Sequence, residues 1–297
     1  MMKQMFYKTR FIYFWGLYVL ISAAFLITAY CVSYGNIILL VISPVILTGV
    51  FLGFAAMYFN KKSEERTAEL GQNLKAYTEN VTRLTSDHIN NAFSQHEQFH
   101  YLKSIVNPAI PLPSTRGWAA SPDFLSLVFR EIIRHQPAHI LELGSGVSTL
   151  FIGHLIKNNA LNCKLHSVDH SSDFGTRTLE LLKLSGVESN VSFYHAPITV
   201  HSINGVNRQW YDISSLQASD IGLLIIDGPI GTLQEKARYP ALPLLYDRLK
   251  TGAVILLDDY FRPDETAMVQ DWLREYPALK LVAEVNTEKG TAVLVKG

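Results

Sequence analysis

The chain changes its hydrophobic rhythm twice. From Phe11 to Cys31, and again from Ile37 to Phe59, no charged residue interrupts a run of apolar and aromatic side chains. At about 1.5 Å per helical residue, each run is long enough to cross the roughly 30 Å hydrocarbon core of a bilayer. Only Val32-Ser33-Tyr34-Gly35-Asn36 lies between them, a short polar turn with a helix-stopping glycine. The pattern predicts a two-helix transmembrane hairpin over residues 1–59. Lys3, Lys8 and Arg10 precede the first run and Lys61, Lys62 and Arg66 follow the second, while the turn carries no charge. By the positive-inside rule both termini face the cytoplasm, and with them everything that follows.

From Asn60 to about Tyr101 the chain is polar and free of proline, with Leu70, Leu74, Tyr77, Val81 and Leu84 at alternating spacings of four and three. That is an amphipathic helix with a narrow apolar seam, predicted as a helical linker or stalk over residues 60–103. The seam suits a homodimer through this linker as well as a helix lying on the neighbouring domain or the membrane.

Pro108, Pro111 and Pro113 end the helix and open a third region, residues 104–297. Ser121-Pro122-Asp123 caps a helix whose apolar face is Phe124, Leu125, Leu127, Val128 and Ile132. Beyond it, short apolar runs alternate with helical segments: 140–143, 164–168, 191–194, 221–226, 253–257, 279–285 and 291–295 as strands. Runs of that length between helices predict an α/β fold, a Rossmann-like seven-stranded sheet covered on both faces. The last two are separated only by 286–290, so they form a hairpin and the final strand is antiparallel. Residues 199–220 are expected to be a loop, with Trp210 and Tyr211 walling a pocket and His201 exposed to solvent.

Composition adds exclusions. Charges balance to a formal net of zero, which gives no footprint for nucleic acid. Cys31 and Cys163 are the only cysteines, too few for a disulfide framework or a cysteine zinc site.

The candidate chemistry sits where strands end, because open α/β sheets bind ligands beyond their carboxyl edge. The first strand runs into Glu142-Leu143-Gly144-Ser145-Gly146, a turn whose glycines let main-chain N–H groups approach a ligand. The second ends at Asp169, placed to accept hydrogen bonds from both ribose hydroxyls of an adenosine ligand or to cap the next helix. The fourth ends at Asp227 and the fifth at Asp258-Asp259. Three carboxylates over one crevice repel one another. They suit Mg²⁺ or a similar hard cation, or pairing with Arg238 and Arg262.

Together Glu142 to Gly146, Asp169, Asp227, the Asp258-Asp259 pair and the terminal hairpin resemble the class I S-adenosylmethionine-dependent methyltransferases. The resemblance implies that Gly144, Ser145 and Gly146 hold the methionine part of S-adenosylmethionine, with Glu142 supporting the turn and Asp169 the ribose. Ala196, at the end of the third strand, would flank the adenine. Asp227, Asp258 and Asp259 resemble the metal-ligand set of the cation-dependent O-methyltransferases of the catechol and caffeoyl-coenzyme A type. Those enzymes often carry Asp-Asn at the pair, and a lysine where this chain has Gly228-Pro229-Ile230. The implied activity is methyl transfer to a hydroxyl of a small-molecule, lipid-linked or glycan acceptor, with Asp227, Asp258 and Asp259 as catalytic residues. Two other readings stay open. A nicotinamide-dependent oxidoreductase has Thr149 against it, at the position where a dinucleotide turn wants Gly or Ala. A membrane scaffold that keeps the fold without the activity is the other.

Overall fold

The computed structural model describes residues 2–35, 37–108, 111–115, 117 and 119–297. They form two compact units, Met1–Ser86 and Asp87–Gly297.

In the first unit, helix α1 covers Met2–Tyr34 and helix α2 starts at Ile37 and runs to Val106. The separating turn is shorter than predicted. Val32, Ser33 and Tyr34 continue the helix, and only Gly35, at φ +62°, takes the left-handed conformation that ends it. Asn36 lies outside the described residues. The segment Trp15–Tyr34 is long and apolar enough to cross a membrane, with a mean hydropathy of 1.9 and 6% of it buried. The second predicted span, Ile37–Phe59, is helical, and several of its side chains lie outside the described residues. The seam residues Leu70, Leu74, Tyr77, Val81 and Leu84 are all exposed.

The last turns of α2 belong to the second unit. Leu102 and Val106, in the last turns of α2, are fully buried with Phe124, Val128 and Phe151. Unlike the exposed seam residues, they pack into a core, and this end of α2 is one of the helices of the second unit.

The second unit continues with α3 (Pro122–His135), β1 (His139–Leu143), α4 (Val147–Asn158), β2 (Lys164–Asp169), α5 (Ser172–Leu184) and β3 (Val191–His195). Then come β4 (Ile198–Ile203), β5 (Val206–Tyr211), β6 (Ile221–Ile226), α6 (Ala241–Leu245), β7 (Leu249–Leu257), α7 (Pro263–Glu275), β8 (Leu279–Val285) and β9 (Thr291–Lys296). Seven strands form one sheet in the order β3-β2-β1-β6-β7-β9-β8, parallel except for β9, which is antiparallel to both neighbours. Alternate residues feed two cores. Ile140, Leu165, Leu223, Ile225, Val254 and Leu256 pack with α3 and α4, and Leu141, Leu143, Val168, Leu224, Ile226, Ile255 and Leu257 pack on the other face. Burial on both faces is why these strands read as unbroken apolar runs.

The expected loop over 199–220 is corrected. Its first half is an antiparallel two-stranded hairpin, β4 with β5, turned by Asn204-Gly205 at φ +52° and +77°. Positive φ at both central residues is what a tight hairpin turn requires, and Asn-Gly supplies it at least cost. Polar residues along both strands hid the alternation.

Candidate functional site

Strand register builds the site. Leu143 of β1 pairs with Val168 of β2 and Ile226 of β6, and Ile226 pairs with Leu257 of β7. The ladder extends one step further. Gly144 N donates to Val168 O (2.9 Å), Asp227 N to Leu143 O (3.0 Å) and Asp258 N to Ile226 O (3.0 Å). Asp169, Gly144, Asp227 and Asp258 therefore form one row along the carboxyl edge of four neighbouring strands.

The turn after β1 is shaped by both glycines, for different reasons. Gly144 has φ +96°, and a Cβ there would lie 3.2 Å from the main chain of Asp227 and Gly228. A side chain would force β1 and β6 apart at their ends. Gly146 is extended, and a Cβ on it would meet nothing within 4 Å. The fold leaves space beside Gly146, on the wall of the cleft.

Beneath the turn, Glu142 is fully buried, and its Oε2 accepts from Thr149 Oγ1 (2.6 Å) and Ser167 Oγ (2.7 Å). Gly146 N in turn donates to Thr149 Oγ1 (2.9 Å). Burial pushes the Glu142 carboxyl up to about 7, against the hydrogen bonds of Ser148, Thr149 and Ser167. Thr149 is thus a brace between the buried carboxyl and the turn, a role that spacing alone did not reveal. Ser167, on the neighbouring strand, was missed for the same reason.

Asp169 also holds the turn. Its Oδ2 accepts from Ser145 N (2.8 Å) and Ser145 Oγ (3.2 Å), and its Oδ1 accepts from Ser171 N (2.8 Å) at the start of α5. Oδ2 accepts two bonds and Oδ1 one, so the acceptor capacity that remains is on Oδ1, with His170 Nδ1 3.5 Å away.

The cleft holds about 360 Å³, within the usual range for a small-molecule site. Gly144, Ser145, Gly146, Asp169 and Asp227 line it, together with His170, Phe174, Tyr211, Arg238, Asp259, Arg262 and Lys289. The N-terminus of α4 opens on it through Val147 and Ser148. Ala196 does not reach it: the residue is buried in the core, and its N–H donates to Asp169 O (2.8 Å). His170 and Phe174 are among the residues that do line it. Tyr211 lines the cleft with its hydroxyl against Gly228, where any Cβ would collide with it, whereas Trp210 is a core residue. His201 lies outside the cleft and is half-buried, its Nε2 3.0 Å from Tyr211 O and 3.1 Å from Thr199 Oγ1.

The three predicted carboxylates do come together. Asp227, Asp258 and Asp259 each place an oxygen within 4.8 Å of the others. Asp259 stands at φ +61°, a left-handed conformation that Asp tolerates better than most residues. A guanidinium is built into the group. Arg238, 3% exposed, donates from Nη2 to Asp259 Oδ2 (2.7 Å), Asp227 O (3.0 Å) and Asp227 Oδ1 (3.4 Å), and from Nη1 to Asp258 O (2.9 Å). Arg262 Nη2 forms an ion pair with the other oxygen of Asp259 (3.0 Å). Burial alone would lower the Arg238 pKa, and Asp227, Asp259 and Glu265 outweigh it. Burial pushes Asp227 up to about 6 against the pull of Arg238. Burial, then Asp227 and Asp259, hold Asp258 well above the carboxylate range, and among the described residues neither of its side-chain oxygens has a partner.

The oxygens of a candidate cation site are thus together, and a guanidinium already stands among them. Mg²⁺ wants oxygens at about 2.0–2.1 Å in octahedral array. Here both oxygens of Asp259 are engaged by guanidinium groups, and Arg238 brings a fixed positive charge to hydrogen-bond distance of two of the three carboxylates.

Comparison with known proteins places the site in context. No curated protein matches the chain. Similar solved structures include the O-methyltransferase TomG from Streptomyces achromogenes in complex with SAM, at 13% identity and a TM-score of 0.45, covering 60% of this chain and 82% of that one. An SAH-bound methyltransferase from Podospora anserina gives 15% and 0.46 over 68% and 87% of the two chains. An O-methyltransferase from Bacillus cereus with SAH gives 11% and 0.45 over 68% and 90%. Residues 141–260, from β1 to just beyond β7, match the family model described as a methyltransferase domain.

Proposed function

We propose that the chain is a membrane-anchored, S-adenosylmethionine-dependent methyltransferase acting on a hydroxyl of a small-molecule, lipid-linked or glycan acceptor. The observation that carries this reading is the row of strand ends, where a braced glycine turn, a ribose-competent carboxylate and a buried acid border one cleft within a segment matching a methyltransferase domain model. Ser145, the space beside Gly146 and the first turn of α4 would hold the methionine part. The positive end of the α4 dipole favours its carboxylate. Asp169 would hold the ribose hydroxyls, and His170 and Phe174 supply the wall beside them.

S-adenosylmethionine, when bound, supplies an electrophilic methyl group on a sulfonium. The chain's part is to align an acceptor oxygen and to take its proton. Asp227 is the group for that proton, since it lines the cleft and burial raises its basicity toward neutrality. Arg238, bonded to it, keeps it from rising further.

Calorimetry on the full chain in detergent tests the reading. S-adenosylmethionine and S-adenosylhomocysteine should each bind at one site, and Gly146→Ala should weaken both at least tenfold while leaving the unfolding temperature unchanged, because its methyl meets only open space in the protein. An absence of heat with either ligand, or tight binding of NADH instead, would overturn it.

A further inference from the structure

The acidic cluster of the cleft has the composition of a cation site, but its positive charge comes from within the chain. We propose that Arg238 stands in the place of a divalent cation in the Asp227–Asp258–Asp259 cluster, so that the wild-type protein neither binds a metal there nor needs one.

Three observations lead to this. First, the guanidinium is fixed rather than swinging into the cluster from solvent. It is 3% exposed, and besides its carboxylate partners it donates to the carbonyl oxygens of Asp227 (3.0 Å), Asp258 (2.9 Å) and Pro229 (3.4 Å). The main-chain bonds hold it in place whatever the carboxylates do. Withdrawal would leave a buried guanidinium without acceptors, which is strongly unfavourable.

Second, the charges of two of the three carboxylates are already paired within the chain. Asp259 is held from both sides, Oδ2 by Arg238 (2.7 Å) and Oδ1 by Arg262 (3.0 Å). Asp227 Oδ1 faces Arg238 at 3.4 Å. Asp258 alone keeps both oxygens unengaged among the described residues. It is fully buried and, unlike Asp227 and Asp259, does not line the cleft. A cation drawn to Asp258 would come close to the Arg238 guanidinium, which donates to the Asp258 carbonyl at 2.9 Å.

Third, guanidinium and Mg²⁺ are not equivalent in what they offer an acceptor. Mg²⁺ binds the acceptor oxygen itself and lowers its pKa. Arg238 spends its donors on the chain, so it balances the charge of Asp227 and Asp259 and orients Asp227 toward the cleft. Arg238 is on this account a positioning residue, and Asp227 works without a Lewis acid beside it.

Removing the guanidinium should therefore expose the latent cation site. The inference rests on the methyltransferase reading only for its consequence for activity. Its core is metal binding, which is measured separately. Mn²⁺ is titrated against the full chain in detergent, with free ion followed by electron paramagnetic resonance. Wild type should retain no more Mn²⁺ than an Asp227→Asn variant. Arg238→Ala should bind one Mn²⁺ at least tenfold more tightly than wild type, and Arg238→Ala with Asp258→Asn should lose it. If methyl transfer is observed, it should persist in wild type after treatment with EDTA.

Stoichiometric Mn²⁺ on wild type that disappears in Asp227→Asn would overturn the proposal, whether or not Arg238→Ala folds. A folded Arg238→Ala that gains no Mn²⁺ would also overturn it, since the guanidinium would then not be what keeps a cation out. Failure of S-adenosylmethionine to bind leaves both metal results readable and strikes only the methyltransferase reading.

Discussion

Glu142 shows how one buried side chain ties sequence to pH-dependent stability. It lies under the glycine turn, away from solvent, and takes hydrogen bonds from Thr149 and Ser167 on one oxygen only. Its folded-state pKa is raised from 4.5 to about 7, so between these values the native state holds a proton that the unfolded chain releases. The resulting stability is fully present below pH 4.5 and is lost as pH rises through about 7, a contribution of about 3 kcal/mol. Glu142→Gln keeps an oxygen for Thr149 and Ser167 and cannot ionise. In urea unfolding at a series of pH values, the variant should therefore gain about 3 kcal/mol on wild type between pH 4.5 and pH 8. A stability difference that stays constant with pH would show that Glu142 ionises as freely in the folded chain as in the unfolded one.

Elements are joined at the cleft by another carboxylate, Asp123 at the start of α3. It accepts from Gln95 Nε2 on α2 (2.7 Å), from Ser121 Oγ (2.6 Å), from Phe124 N (2.8 Å) and from Glu288 N in the β8–β9 turn (2.7 Å). The same turn carries Lys289, which lines the cleft and donates to Ala119 O (3.3 Å). One side chain thus ties the last turns of α2, the first turn of α3 and a turn on the cleft rim. Asp123→Ala leaves these donors without their acceptor and should cost about 1–3 kcal/mol. The denaturation midpoint checks this. An unchanged midpoint would mean that water replaces the carboxylate at no cost. The β4–β5 hairpin makes a second contribution at this scale by delivering Tyr211 to the cleft while Trp210 anchors the strand in the core.

At the scale of the whole molecule, the chain divides into an apolar start and a compact α/β unit. The segment Trp15–Tyr34 has the length and composition of a membrane span, and the proposed membrane anchoring is tested there. The full chain should pellet with membranes, resist extraction by alkaline carbonate and dissolve in detergent. Release by carbonate would show that the apolar segment does not span. Much of the α/β unit was legible beforehand. Strands buried on both faces leave continuous apolar runs, and each run that ends in a polar residue marks a point on the carboxyl edge of the sheet. Gly144, Asp169, Asp227 and Asp258 stand at that edge, at or one step beyond the ends of their strands. The β4–β5 hairpin was not, because its strands alternate weakly and its strongest mark is a single Asn-Gly pair. Ala196, expected on the wall, lies in the core with its N–H on the Asp169 carbonyl, a burial that the end of a strand does not reveal in sequence.

The sequence by itself determined the seven strands of the main sheet, the acidic strand ends and the two apolar runs, because each is written in a local period or in its interruption. Only the tertiary structure decided what the acidic ends do. Register aligned Gly144, Asp169, Asp227 and Asp258 into one row, and the irregular stretch between β6 and α6 folded back to set Arg238 among the carboxylates. No periodicity encodes that return. How a cluster of carboxylates is neutralised depends on distances through space, and here a guanidinium of the chain lies 2.7 Å from Asp259 Oδ2 and 3.4 Å from Asp227 Oδ1.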